Sequence, residues 1–261
     1  MTEKDLKKFI LHIAQESAKI TRKGFFGKRE VTWKPDNSPL TKTDLRVNKY
    51  LYNQIRRYFP DHGIISEELP FKKSTSSYTW HIDPIDGTIP FSRGIAFFTN
   101  SIGLAKGKEM ILATVCDPIR NELFFAQKGK GAYLNGKKIK STACQNMSQA
   151  YVDLELWPTA KYDLYQLAKD LTKKVYIQSR HASMAICFCY VAVGRMDAAF
   201  FAGDNSWDIA ASSLICQEAG VKCTNLDGTV WHANEKPRGI LVARPKLHRE
   251  LVKQVKKYCK I

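Results

Sequence analysis

The chain has 261 residues, of which 44% are hydrophobic and 25% charged, an ordinary composition for a globular protein with a substantial core. No apolar run is long enough to cross a bilayer, and the first residues lack the basic start and apolar centre of a signal peptide, so we expect a cytoplasmic protein. The formal net charge of +16 would suit a nucleic-acid surface or the attraction of phosphate esters, but the lysines are dispersed, which favours solvated faces.

The cysteine and histidine patterns argue against disulfides and against zinc. The seven cysteines are odd in number, include no C-x-x-C pair and lie mostly among apolar neighbours. We therefore predict buried, reduced thiols. The six histidines form neither an H-E-x-x-H nor an H-x₃-H arrangement, so a zinc centre is not predicted.

Two helices are predicted near the start of the chain. Apolar residues recur at helical spacing over residues 3–23, and again from Thr41 to Tyr58. Asp44 lies in the first turn of the second helix, where the helix dipole favours a carboxylate. Asp44 has a second possible role if that helix begins beside a metal site.

A pair of glutamates follows the next predicted strand. Residues 64–66 form this strand, and Glu67 and Glu68 come directly after it. Neighbouring carboxylates at a strand end should point in different directions, so that one can bind a metal while the other faces elsewhere. A solvated acidic loop is the alternative, and the polar residues 71–77 are predicted to be a mobile loop.

The stretch Asp83-Pro84-Ile85-Asp86-Gly87-Thr88 follows a short apolar run and is placed where a strand ends. Two carboxylates three residues apart, with a proline between them, can turn several oxygens toward one point, as Mg²⁺ requires. Gly87 allows the backbone to approach an anion, and Thr88 adds a hydroxyl beside it. The alternative is a plain turn, because Asp, Pro and Gly are common turn formers.

The remaining pattern divides the chain into two halves. Residues 97–104, 110–116 and 122–127 predict strands, and Asn135-Gly136 predicts a further hairpin, so residues 1–145 form an α+β half with a largely antiparallel sheet. In residues 146–261 strands alternate with helices, which predicts an α/β half. One helix there is expected over residues 206–219, with Ser206 as its N-cap and Trp207-Asp208 in its first turn. We expect the two halves to act as one compact catalytic unit.

Four features occur together in this chain: Thr43-Asp44, Glu67-Glu68, the stretch from Asp83 to Thr88, and Trp207-Asp208 followed by Glu218-Ala219-Gly220. In order and spacing they resemble the inositol monophosphatase family of Mg²⁺-dependent, lithium-sensitive phosphomonoesterases, over nearly the entire chain. The resemblance implies a layered α-β-α-β-α sandwich, as in the inositol monophosphatase and fructose-1,6-bisphosphatase superfamily. It also implies a site between the two halves and, usually, a homodimer.

The resemblance implies a role for each matching residue. The ligands of two or three Mg²⁺ ions would be Glu67, Asp83, the Ile85 carbonyl, Asp86 and Asp208. Thr88, with Asp44, would orient and deprotonate the attacking water, and Glu68 would support that water. The substrate would be held by the backbone N–H groups of Gly87 and Thr88, and contacted by Met184, Ala185 and Phe201.

Three departures from the family pattern concern the substrate. Phe201 lies seven residues before Asp208, where inositol-specific members carry a glutamate that contacts ring hydroxyls. The segment 180–185 replaces a Gly-Ser-Ala-rich turn, and Ile89-Pro90-Phe91 follows Thr88 in place of Thr-Asn-Phe. The expected function is hydrolysis of a small phosphorylated metabolite, inositol-1-monophosphatase-like, with histidinol phosphate, 3′-phosphoadenosine 5′-phosphate and fructose 1,6-bisphosphate as open alternatives.

A function of another class is binding to RNA or to the transcription machinery, which the net charge would suit. It is less favoured, because a purely binding protein has no reason to keep a complete set of metal ligands. No membrane partner is expected.

Overall fold

Two mixed β-sheets, a short two-stranded antiparallel sheet and the helices packed on them make up the described part of the protein, whose computed structural model covers residues 3–157 and 160–258. The helices are α1 (Glu3–Phe26), α2 (Lys42–Tyr58), α3 (Thr88–Ser92), α4 (Tyr165–Leu171), α5 (Met184–Val193), α6 (Ala210–Glu218) and α7 (Pro245–Tyr258). The strands are β1 (Val31–Trp33), β2 (Pro39–Thr41), β3 (Gly63–Ser66), β4 (Leu69–Lys72), β5 (Tyr78–Asp86), β6 (Thr99–Lys106), β7 (Glu109–Asp117), β8 (Glu122–Gln127), β9 (Gly131–Leu134), β10 (Lys137–Ile139), β11 (Tyr151–Leu154), β12 (Ile177–Ser179), β13 (Ala198–Phe201), β14 (Lys222–Asn225) and β15 (Ile240–Ala243). No helix in these described ranges is both long enough and apolar enough to cross a membrane.

Strand direction brings the acidic segments of the first half together. The first sheet has the order β10-β9-β8-β7-β6-β5-β3-β4 and is antiparallel except for the β3–β5 pair. In that parallel pair Ser66 lies opposite Ile82. The residues that follow both strands therefore lie at the same edge of the sheet, which places Glu67 beside Asp83. The second sheet has the order β12-β11-β13-β15-β14. In it β11 pairs in parallel with β12 and β13, and β15 pairs antiparallel with β13 and β14.

Three of the four apolar clusters among the described residues separate the layers. The first lies between α1, α2 and the first sheet, and its fully buried members include Ile13, Leu51 and Trp80. The second lies between the two sheets around α5 and α6, and the third lies between the second sheet and α4 and α7. Phe200 belongs to the third core and Phe201 to the second, because successive side chains of a strand point to opposite faces. These layers confirm the predicted α-β-α-β-α sandwich.

The second helix begins at a capping box that also fixes Asp44. Thr41 is the N-cap of α2, and its Oγ1 accepts hydrogen bonds from the backbone N–H groups of Thr43 (3.2 Å) and Asp44 (3.3 Å). In return, the Asp44 carboxylate accepts a hydrogen bond from the Thr41 backbone N–H at 2.9 Å. Helix capping therefore determines where this carboxylate lies.

Thr41→Ala is expected to lower the free energy of unfolding by about 1 kcal/mol, because it leaves two N–H groups of the first turn without their acceptor. Thr41→Ser keeps the hydroxyl and serves as the matched control. Urea denaturation of the three proteins checks this, and equal midpoints for all three would contradict it.

Two local predictions are wrong. Ser206 is not an N-cap: α6 begins at Ala210, and the Ser206 hydroxyl instead pairs with His81 Nδ1 of β5 at 2.9 Å. Asp208 therefore lies in the turn that precedes the helix rather than in its first turn. The predicted loop at 71–77 begins as the end of β4, which pairs with β3 as an edge strand.

The cysteines within the described residues agree with the predicted free thiols. Cys116, Cys144, Cys187, Cys189, Cys216 and Cys223 are unpaired, and all of these except Cys144 are buried. Cys259 lies outside the described residues.

Candidate active site

An acidic cleft of about 630 Å³ is bounded by residues of both halves of the chain. The predicted site residues that line it are Glu67, Asp83, Ile85, Asp86, Gly87, Thr88, Met184, Phe201 and Asp208. The other three lie outside its lining. Asp44 is buried behind Thr88, Ala185 is buried behind Asp86, and Glu68 lines a neighbouring pocket.

The two aspartates at the end of β5 have contrasting surroundings. Asp86 is held by the start of α5 and by Ser183, the residue before that helix. Its carboxylate accepts hydrogen bonds from the N–H groups of Met184 and Ala185, both at 3.0 Å, and from the Ser183 hydroxyl. Asp83 is 2% exposed, and its Oδ1 has no hydrogen-bond partner among the described residues. A buried carboxylate oxygen without a donor is costly unless something positive reaches it.

Burial and mutual repulsion dominate the electrostatics of the cleft. Burial, followed by the charges of Glu67, Asp86 and Asp208, raises the pKa of Asp83 well above its ordinary value. Asp208 lies partly open to the cleft, yet burial of its carboxyl group and the charge of Glu67 raise its pKa as well. Burial raises the pKa of Asp86 to about 6, although its hydrogen bonds oppose this.

This donor set fits a hard divalent cation. It consists of carboxylate and carbonyl oxygens, which Mg²⁺ prefers over the nitrogen and sulfur ligands of zinc. The unpartnered Asp83 oxygen is a ready ligand atom. Among the described residues, the carboxylates of the cleft do not form a group of three with all ligand atoms within 4.8 Å of one another.

Next to the carboxylates lies a threonine whose hydroxyl faces two oxygens. Thr88 Oγ1 is 3.2 Å from Asp44 Oδ1 and 2.9 Å from the Ile85 carbonyl oxygen. Burial raises the pKa of Asp44 to about 6. The preceding Gly87 has φ +94°, and a Cβ there would lie 2.9 Å from the Phe97 carbonyl oxygen, so only glycine fits.

A lysine that sequence analysis missed joins the glutamate pair. Lys34, from the loop between β1 and β2, places Nζ 2.7 Å from both Glu67 Oε1 and Glu68 Oε1. The two carboxylates were expected to diverge, and instead they share one ammonium group. Burial raises the pKa of Glu68 to about 7 even so. The sequence offered no signal for this contact, because it spans 33 and 34 residues and begins in a loop.

Lys34→Met is expected to lower the free energy of unfolding of the metal-free protein by about 1–2 kcal/mol, because it leaves two partly buried carboxylates facing each other. Mg²⁺ should restore part of that loss. Lys42→Met, which breaks an exposed pair with Glu30, is the control and should change little. Chemical denaturation with EDTA and with Mg²⁺ tests both variants, and equal losses in the two would refute the role of Lys34.

Glu155 and Trp157 also line the cleft and were not predicted as site residues. The Glu155 carboxylate accepts hydrogen bonds from the Trp157 indole N–H and, at 3.2 Å, from the Ala202 backbone N–H. Burial raises the pKa of Glu155 to about 7. The only signal in the sequence is an acidic residue just after the strand Tyr151–Leu154.

A separate cluster of Asp153, His181 and Cys187, in which His181 is half-buried and the other two are buried, has ligand atoms within 4.8 Å of one another. Asp153 Oδ1 lies 2.6 Å from His181 Nδ1 and accepts a hydrogen bond from the Ser179 hydroxyl at 2.7 Å. Burial raises the pKa of the Cys187 thiol well above its ordinary value, which favours the uncharged thiol. We interpret the cluster as an anchor for the segment that leads to Ser183. Its members are too far apart in sequence to form a recognisable motif.

Comparison with solved structures supports the resemblance to the inositol monophosphatase family. An IMPase from Thermotoga maritima superposes with a TM-score of 0.88 at 27% identity, over 97% of each chain. The layered fold and the acidic cleft together define a hydrolase of phosphate monoesters.

Sequence comparisons identify the family. The sequence model of the inositol monophosphatase family matches residues 3–260. Inositol monophosphatase 1 of Solanum lycopersicum is 33% identical over 216 residues, 79% of each chain. Nus factor SuhB of Pasteurella multocida is 29% identical over 255 residues, 94% of this chain and 93% of that one. The chain belongs to the inositol monophosphatase family.

Proposed function

We propose that this protein hydrolyses a small phosphomonoester with two or three Mg²⁺ ions as cofactor. The observation that carries the proposal is the buried, unpartnered Oδ1 of Asp83, in a cleft shared with Glu67, Asp86 and Asp208. These four carboxylates and the Ile85 carbonyl would hold the ions. Bound Mg²⁺ supplies charge neutralisation at the phosphate and a lowered pKa for a coordinated water.

Other residues in and around the cleft would supply proton transfer and the substrate contacts. Asp44, with a pKa of about 6, is ionised at neutral pH and can accept a proton passed through the Thr88 hydroxyl 3.2 Å away. Glu68, which is adjacent to Glu67, would support the attacking water. The Gly87 and Thr88 N–H groups would hold a phosphate oxygen, and Met184 and Phe201 would face the leaving group. Ala185 would act through Asp86, because its N–H is bound there.

A phosphate-release assay tests the proposal. Purified protein is given inositol 1-phosphate, histidinol phosphate, 3′-phosphoadenosine 5′-phosphate and fructose 1,6-bisphosphate, each with Mg²⁺, with EDTA, and with Mg²⁺ plus lithium. We expect release from at least one substrate that requires Mg²⁺ and falls in lithium. Release that is equal in EDTA and in Mg²⁺ would reject the metal assignment.

The two halves, residues 1–145 and 146–261, are proposed to act as one unit. Asp86 of the first half is held by Ser183, Met184 and Ala185 of the second, so separating the halves would remove these three donors and leave the Thr99 hydroxyl at 3.3 Å. A cytoplasmic homodimer is the expected assembly, and light scattering during gel filtration measures its mass.

A binding function of another class rests on the net charge of +16 and on the relative named as a Nus factor. Retention on RNA that weakens steeply with salt would support this function, and no retention at low salt would remove it.

A further inference from the structure

A second group of potential metal ligands lies apart from the acidic cleft. Asp153, His181 and Cys187 each offer one ligand atom, and the three atoms lie within 4.8 Å of one another. All three residues lie outside the lining of the cleft. They offer one oxygen, one nitrogen and one sulfur, whereas the carboxylates of the cleft offer oxygen alone. The two groups therefore suit different cations.

Parallel strand pairing brings this cluster together. Asp153 of β11 lies opposite Ser179 of β12, and its Oδ1 accepts a hydrogen bond from the Ser179 hydroxyl at 2.7 Å. His181 follows β12 by two residues, and Cys187 lies in the first turn of α5. The cluster thus lies where two parallel strands end and a helix begins, which is a common position for ligand sites in α/β sheets.

The Asp153 carboxylate has an oxygen to spare. The residue is fully buried, and its Oδ1 lies 2.6 Å from His181 Nδ1. Its Oδ2 is also buried and has no hydrogen-bond partner among the described residues. A buried carboxylate oxygen without a donor is costly, and a cation bound to this carboxylate would remove that cost.

His181 gives the cluster a route to solvent. Its side chain is 28% exposed, whereas Asp153 and Cys187 are buried. The imidazole stacks on Phe97 with ring centres 4.6 Å apart, so it is held beside Asp153 while part of it stays open. An ion can therefore reach the cluster past His181 without opening the core.

Only small shifts would turn the cluster into a coordination site. In a tetrahedral site with bonds of about 2.0–2.3 Å, the ligand atoms lie roughly 3.3–3.8 Å apart, so the present spacings need to change by about 1 Å. Burial, followed by the charge of Asp153, raises the pKa of the Cys187 thiol, so without a metal the sulfur keeps its proton. On metal binding that proton passes to solvent, and the imidazole proton moves to Nε2 and frees Nδ1.

We propose that Asp153, His181 and Cys187 form a second metal site, for a thiophilic divalent cation, with Zn²⁺ as the expected ion. Three protein ligands leave the fourth position to water. The hydrogen bonds of the metal-free cluster anchor the segment that leads to Ser183, and the ion holds the same segment. Since Ser183 also binds Asp86, the site adjoins the Mg²⁺ cleft through one short stretch of chain. The proposal does not depend on the phosphatase function.

Co²⁺ is the probe, because it occupies zinc sites and absorbs strongly in the near ultraviolet when a thiolate binds it. Reduced, metal-free protein is titrated with CoCl₂ in excess MgCl₂, which fills the oxygen ligands of the cleft. We expect a sulfur-to-cobalt charge-transfer band that saturates at one Co²⁺ per chain and disappears when Zn²⁺ is added. Co²⁺ bound to the cleft carboxylates gives no such band, since those ligands include no thiolate.

Variants locate the ion. Cys187→Ser keeps nearly the same shape and should abolish the band. His181→Phe keeps a ring against Phe97 but removes the nitrogen ligand, and it should weaken Co²⁺ binding by more than about a hundredfold, beyond the cost of losing an outer-shell partner. Cys144→Ser removes a partly exposed thiol outside the cluster and should leave the titration unchanged. Melting curves without metal establish that each variant is folded.

The outcomes decide the proposal. If the wild-type protein gives no charge-transfer band, the cluster is a hydrogen-bonded anchor only and the proposal is overturned. A band that persists in Cys187→Ser places the ion at another thiol and has the same consequence. Should Cys187→Ser fail to fold, the wild-type band and its weakening in His181→Phe decide instead. Phosphate release enters none of these measurements, so failure here leaves the proposed function standing.

Discussion

Asp83→Asn is expected to lower phosphate release by about a thousandfold or more while making the metal-free protein more stable. Activity falls because a neutral amide replaces a ligand at the point where the cations bind. Stability rises because Asp83 Oδ1 is buried without a donor, and its charge is repelled by Glu67, Asp86 and Asp208. The asparagine removes that charge at nearly constant volume.

The neighbouring aspartate supplies the contrast. In Asp86→Asn an amide N–H would face the N–H group of Met184 or Ala185, so this variant should lose activity and also lose stability, by about 1–3 kcal/mol. Glu109→Gln, at an exposed surface pair with Lys128, is the control for both. Melting curves in EDTA and initial rates in Mg²⁺ measure the two effects. A melting temperature that falls equally in Asp83→Asn and Asp86→Asn would show that Asp83 is a packing residue.

The sequence predicted most reliably what depends on contiguous residues. The stretch from Asp83 to Thr88 combines ligand atoms with a glycine that adopts positive φ, and the short apolar run before it indicated its position at a strand end. The layered fold could be predicted because hydrophobic spacing reports which face of each element is buried. For example, the side chains of Phe200 and Phe201 point to opposite faces of their strand and belong to two different cores.

What the sequence could not predict depends on partners distant along the chain. Lys34 lies in a loop, and only the folded hairpin shows that its ammonium reaches Glu67 and Glu68. Ser206 had the composition of an N-cap, but a tertiary hydrogen bond to His81 takes its hydroxyl. In the sequence Glu155 is an ordinary polar residue. Only the fold shows that the Trp157 indole N–H and the Ala202 backbone N–H bind its carboxylate.

The second large effect concerns Mg²⁺ and pH together. Without metal, the free energy of unfolding is expected to fall as the pH rises from about 4 to about 7. Burial raises the pKa of Asp44 and of Asp86 to about 6, above the value of about 4 expected in an unfolded chain. In that window the folded protein holds protons that the unfolded chain has released, so raising the pH removes stability.

Bound Mg²⁺ should reverse this dependence, because cations replace the protons that keep the carboxylates from repelling one another. At a concentration one hundred times the Kd, ligand binding adds about 2.7 kcal/mol, which raises the melting temperature by roughly 5–10 °C for a protein of this size. We expect this rise at pH 8 and a much smaller one at pH 5, where protons compete for Asp86 and its neighbours. Thermal melts with MgCl₂, and with NaCl at matched ionic strength, measure it. A Mg²⁺ shift of the same size at both pH values would mean that the ions bind somewhere other than at these buried carboxylates, because only groups that are protonated at pH 5 make metal binding depend on pH in this range.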